Sequence, residues 1–97
     1  MNIQFLESLE NLLKQRFDER PAGSYTTKLF ESGPQKILQK VGEEAIEYIL
    51  DAQVADKQKA IYEGADLLYH FLVSLVAQGW SLGDIIAELE RRHQPGK

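Results

Sequence analysis

Two stretches of this chain carry acids at a spacing that could do chemistry. Glu44 and Glu47 lie three apart in Lys36-Ile-Leu-Gln-Lys-Val-Gly-Glu-Glu-Ala-Ile-Glu47, and Glu63 and Asp66 lie three apart in Glu63-Gly-Ala-Asp-Leu-Leu-Tyr-His70. On a helix such residues share a face, so each pair presents two carboxylates in one direction. Two carboxylates about 5 Å apart in a medium of effective dielectric about 20 repel by roughly 3 kcal/mol. A divalent cation turns that cost into a gain.

The donor set selects the ion. Carboxylates without cysteine thiolates or a histidine cluster favour Mg²⁺, with Mn²⁺ possible, over zinc or copper. Magnesium held by a few carboxylates keeps positions open for phosphate oxygens and water, which points to phosphoryl chemistry. Lys36 and Lys40, two turns and one turn before Glu44, could hold phosphate oxygens, or could simply pair with acids at i,i+4. Lys28 sits among hydroxyls in Ser24-Tyr-Thr-Thr-Lys28, a segment that suits either phosphate binding or an ordinary solvated loop. His70, within roughly 60° of Glu63 on a helical wheel, is a partner for a metal ligand, a phosphate donor or a core histidine. The alternative for both acidic stripes is a solvated face. A carboxylate-bridged di-iron bundle fits poorly, because no Glu-x-x-His pair falls on these helices.

Five helical segments are expected to position these groups, with no strand pattern, internal repeat or linker. Asn2 is placed to cap a first helix to about Asp18, with Phe5, Leu9, Leu12, Leu13 and Phe17 as its apolar stripe. Pro21 and Gly23 stop it. Ser24 then caps a short helix from Tyr25 to about Glu31, and Pro34 opens a long one to about Val54. Ala55-Asp-Lys-Gln-Lys59 turns the chain into a helix running to about Gln78. Gly64 lies inside that helix, where close approach by a neighbour or a ligand would explain it. Gly79 ends it, Ser81-Leu-Gly-Asp84 forms a capping box, and Ile85, Ile86 and Leu89 line the last helix. The tail from His93 to Lys97 is expected to fray.

The 97 residues, 43% hydrophobic and 27% charged, suit one soluble all-α domain over 1–97. A net charge of −4 argues against a nucleic-acid polymer as partner but not against a nucleotide. The absence of cysteine fits a cytoplasmic location. No signal peptide is expected at the start. The apolar run from Leu67 to Ala77 is about half of a bilayer span, so no membrane is expected. That run is also apolar nearly all round, more than the other helices can cover, which predicts a homodimer.

The residues Ser24-Tyr-Thr26, Gly33, Lys40-Val-Gly-Glu-Glu-Ala-Ile-Glu47, Glu63 and Ala65-Asp-Leu-Leu-Tyr-His70 resemble the phosphoribosyl-ATP pyrophosphatase family, one of the all-α nucleotide pyrophosphohydrolases that include the MazG proteins. The likeness runs from Ser24 to about Arg92. It implies a four-to-five-helix MazG-like bundle completed by dimerisation. It also implies Mg²⁺-dependent hydrolysis of phosphoribosyl-ATP to phosphoribosyl-AMP and pyrophosphate, the second step of histidine biosynthesis. Glu44, Glu47, Glu63 and Asp66 are then the metal ligands, with Glu43 a further acid that orients water. Ser24, Lys28, Lys36, Lys40 and His70 are then substrate contacts. The family is often fused to a zinc cyclohydrolase, and a cysteine-free chain of this length resembles the stand-alone form. A house-cleaning nucleoside triphosphate pyrophosphatase shares the acidic pattern, and a non-catalytic metal-binding helical dimer is the third possibility.

Overall fold

The computed structural model describes residues 1–95. Their helices are α1 (Phe5–Glu19), α2 (Tyr25–Ser32), α3 (Pro34–Gln53), α4 (Lys57–Gln78) and α5 (Leu82–Arg92), with no strand among the described residues. The fold is all-α. Gly96 and Lys97, at the end of the expected frayed tail, lie outside the described residues.

The long helices α3 and α4 form an antiparallel hairpin, and α1 and α2 close one end of it. Leu13 of α1, Leu29 and Phe30 of α2, Ile37 of α3 and Leu72, Val73, Leu75 and Val76 of α4 make the core. These side chains sit at helical spacing on the inner faces, which is what the apolar periodicity requires. The other half of α4 is different: Ile61, Tyr62 and Leu68 are exposed, as are Leu38, Ile46, Ile49 and Leu50 of α3. By length and mean hydropathy, 1.2 over its most apolar window, α4 could cross a membrane. Here its apolar C-terminal half is core, and its N-terminal half carries acids.

The caps follow the local chemistry. Thr27 N–H donates to Ser24 Oγ at 3.3 Å, and Gly33, in the left-handed region, separates α2 from Pro34 at the start of α3. Asp56 Oδ1 accepts from Lys59 N–H, so α4 begins at Lys57. The expected turn over 55–59 is shorter than its polarity suggests, because Asp56 is a better cap than a loop residue. Asn2 is not the cap of α1; Gln4 stands there without a side-chain bond. Gly79 ends α4 in a left-handed conformation, with its N–H on the carbonyls of Leu75 and Val76. The capping box of α5 forms as expected between Ser81 and Asp84.

One buried acid had no role assigned by its spacing. Glu10 lies on the inner side of α1, between Leu6 and Leu13, and its Oε2 accepts from Leu82 N–H at 2.7 Å. The first N–H groups of a helix have no partner of their own. Glu10 supplies one for α5, none of whose residues is buried. In the α1 sequence Glu10 looks like one more surface acid.

Candidate metal centre

The helical hairpin brings Glu44 of the first acidic pair to Glu63 and Asp66, the second pair. One carboxylate oxygen from each of Glu44, Glu63 and Asp66 lies within 4.8 Å of the others. Glu44 is 9% exposed, and Glu63 and Asp66 are half-buried. Glu44 Oε2 and Glu63 Oε2 are both inaccessible and without a hydrogen-bond partner. Buried carboxylate oxygens left this way are costly, and each normally has an explanation. The Glu63 carboxyl responds by holding its proton: its pKa is pushed from 4.5 up to about 7. Burial contributes most, followed by the nearby Glu47 carboxylate and then that of Glu44.

Three hard oxygen donors converging at this separation, two of them orphaned, fit a divalent cation of the Mg²⁺ or Mn²⁺ kind. Glu47 is solvent-exposed on the next turn of α3 and close enough to Glu63 to disturb it. Glu43 is exposed too, and its Oε2 accepts from Gln39 Nε2 at 3.0 Å. It stands outside the convergent group.

A cavity of about 570 Å³ opens beside the acids. Glu47 and Glu63 form one end, and Leu50, Asp51, Gln58, Lys59 and Tyr62 line the rest. Lys59 lies one turn before Glu63 and was absent from the sequence-based candidates, because it reads as part of a polar turn. Lys28 and Lys36 are exposed, and Lys40 is half-buried. None of the three lines this cavity. Among the described residues the ion pairs are those of Glu88 with Arg91 and Arg92, so Lys40 is not spent on Glu44.

The Ser-Tyr-Thr and Tyr-His segments meet each other. Tyr25 Oη lies 3.2 Å from His70 Nε2, and Thr26 Oγ1 lies 2.5 Å from Tyr69 Oη. His70 is 5% exposed, and its Nδ1 is 2.8 Å from the Asp66 carbonyl. A carbonyl can only accept, so Nδ1 carries the proton, Nε2 accepts and Tyr25 donates. Both ring nitrogens of His70 are thus engaged inside the protein. Ser24 is engaged as a cap.

Comparison with known proteins gives the chain a family. Residues 6–93 match the model of the family described as phosphoribosyl-ATP pyrophosphohydrolase. The chain belongs to that family. A phosphoribosyl-ATP pyrophosphatase of Pyrobaculum islandicum is 46% identical over 95% of this chain and 98% of its own length. The histidine biosynthesis bifunctional proteins HisIE of Xanthomonas axonopodis and Bacteroides thetaiotaomicron are 56% and 48% identical over 94% of the chain. The chain spans only 44% and 45% of those two relatives. Phosphoribosyl-ATP pyrophosphohydrolase family members therefore include proteins of about this length and proteins roughly twice as long.

Proposed function

We propose that this chain hydrolyses phosphoribosyl-ATP to phosphoribosyl-AMP and pyrophosphate, in the cytoplasm, as the second step of histidine biosynthesis. One observation carries the reading: Glu44, Glu63 and Asp66 converge with two orphaned buried oxygens. Family membership supplies the reaction, and the name of the Pyrobaculum islandicum relative supplies the substrate.

Glu44, Glu63 and Asp66, with Glu47 alongside, hold Mg²⁺ or Mn²⁺. When bound, the ion neutralises phosphate charge and lowers the pKa of water. The residues of the chain then have separable tasks. The rigid hairpin fixes the ligand carboxylates before substrate arrives, so binding spends little on ordering them. Glu43, the further acid to which the family likeness points, would reach a water beside Glu44 only by releasing Gln39. Lys28, Lys36 and Lys40 supply positive charge for the polyphosphate, whose approach to so many carboxylates is otherwise repulsive. Lys59, at the cavity wall, adds a fourth cation for the same purpose.

The enzyme works as one domain over 1–97 and as a homodimer, with no membrane or nucleic-acid polymer as partner. Ile46, Ile49, Leu50 and Ile61 support dimerisation, each more than half exposed on the hairpin. Several large apolar side chains exposed on one hairpin suit an interface with a second copy.

The test is direct. Purified protein with Mg²⁺ should release pyrophosphate from phosphoribosyl-ATP at least a hundredfold faster than from ordinary nucleoside triphosphates. Glu63→Gln and Asp66→Asn should each remove turnover while leaving helical content unchanged. Equal rates on plain triphosphates would replace this reading with a house-cleaning pyrophosphatase. No metal-dependent release from any nucleotide would leave a metal-binding helical dimer.

A further inference from the structure

We propose that Tyr25 and His70 are positioning residues that fix the metal ligand Asp66 through its own backbone. The inference rests on the acids being a metal site, and goes beyond that reading by assigning what holds one ligand in place. Asp66, like Glu63, is only half-buried, and its helix is exposed on the flank that carries Ile61, Tyr62 and Leu68. What restrains it comes from behind. His70 Nδ1–H donates to the Asp66 carbonyl, which already faces the backbone N–H of residue 70 one helical turn on. The Tyr25 hydroxyl donates to His70 Nε2 from α2, a separate helix.

This chain does two things. It locks the imidazole in one neutral tautomer, because Nδ1 must donate and Nε2 must accept. It also ties the carbonyl of the ligand residue to α2, so that the turn carrying Asp66 cannot rotate or slide without breaking bonds to another element. The Thr26–Tyr69 bond pins the adjacent residue on each helix and closes the clamp against twisting. Tyr69 and His70 stack edge to face with ring centres 5.4 Å apart, which fixes the ring plane of the imidazole. Partners that orient a ligand from outside the coordination sphere typically change metal affinity about 10- to 100-fold when removed. Here the action passes through backbone rather than directly to the carboxylate, so an effect of about three- to tenfold is expected.

Isosteric substitution separates the two links. The amide nitrogen of asparagine can stand where Nδ1 stands, and the amide group of glutamine reaches to where Nε2 stands. His70→Asn therefore keeps the bond to the Asp66 carbonyl, His70→Gln keeps the bond to Tyr25, and His70→Phe loses both. The readout is Mn²⁺ affinity of the substrate-free protein by calorimetry, with melting temperature measured alongside. Wild type binding Mn²⁺ and Glu63→Gln losing it secures the metal reading first. Its failure would sink that reading rather than the clamp. His70→Phe should then bind Mn²⁺ three- to tenfold more weakly, while His70→Asn and Tyr25→Phe, which both keep the bond to the Asp66 carbonyl and lose the tie to α2, should fall together between it and wild type. Val76→Ala, a cavity in the core ten residues beyond Asp66 on α4, should lower the melting temperature without changing Mn²⁺ affinity. If His70→Phe binds as wild type does, the proposal is wrong. It is equally wrong if all these variants, Val76→Ala included, lose affinity in proportion to melting temperature.

Discussion

The Glu44 carboxylate on α3 and the Glu63 carboxylate on α4 approach each other from opposite sides of the hairpin, each with one buried oxygen unpartnered. Without a cation the pair destabilises the fold it belongs to. Glu63 ionises near 7 in the folded protein and near 4.5 when exposed. Between those values the folded state holds the extra proton, so stability falls as pH rises from 4.5 to about 7 and levels off above. Thermal melts of metal-free protein should show that decline. Millimolar Mg²⁺ or Mn²⁺ should raise the melting temperature most at pH 8 and least at pH 5. A metal-free melting temperature that is flat across this range would contradict the burial of Glu63.

The same argument makes Glu63→Gln a stabilising change in metal-free protein at pH 8, because it removes the charge and keeps the shape. Differential scanning calorimetry with a chelator should find the variant melting above wild type. Adding Mg²⁺ should reverse the order.

Glu10 and Leu82 make a second checkable contact. Glu10→Ala leaves the half-buried Leu82 N–H without its protein partner, and should cost about 0.5–1.5 kcal/mol in urea denaturation. Glu10→Gln can still accept that bond. It should lose only the charge–dipole part, about 0.3–1 kcal/mol.

The glycine inside α4 and the alanine at the bend are each suboptimal. A Cβ on Gly64 would meet the Tyr48 ring at 3.6 and 3.7 Å, ordinary contact, so Gly64→Ala should stabilise by about 0.5–1 kcal/mol. Ala55 has φ of 58°, in the left-handed region. There Ala55→Gly should gain about 1 kcal/mol. Chemical denaturation of the two single variants and the double variant checks both, and the nine-residue separation predicts near-additivity.

Dimerisation should depend on the exposed apolar flank of the hairpin. Ile46→Glu or Ile61→Lys should convert a species of twice the chain mass into one of single mass, by light scattering at micromolar concentration. Wild-type protein that is monomeric under those conditions would refute the dimer.

Much of this was legible in the chain. The helix ends were written in Ser24, Pro34, Gly79 and the Ser81–Asp84 box, whose side chains or dihedrals leave little choice. The approach of Glu44 to Glu63 and Asp66 followed from i,i+3 spacing on two long helices joined by a short turn, whereas Glu47, expected with them, stays exposed outside the convergent three. Three features did not show. Glu10 reads as a surface acid, since its partner is a backbone N–H far along the chain. Lys59 reads as turn, since Asp56 sets the helix start and spacing alone does not reveal it as a cap. The Tyr25–His70 link joins residues 45 apart, a relation that no local pattern encodes.

The α3–α4 hairpin turns through residues 54–56, and every acid of the centre lies within it. Closing so short a connection costs little chain entropy. The proposed metal-binding part of the molecule is therefore a cassette gathered by neighbours along the chain rather than by distant docking. Such a cassette should tolerate being carried by hosts of very different length, and the relatives that devote under half their residues to this region are what that independence allows.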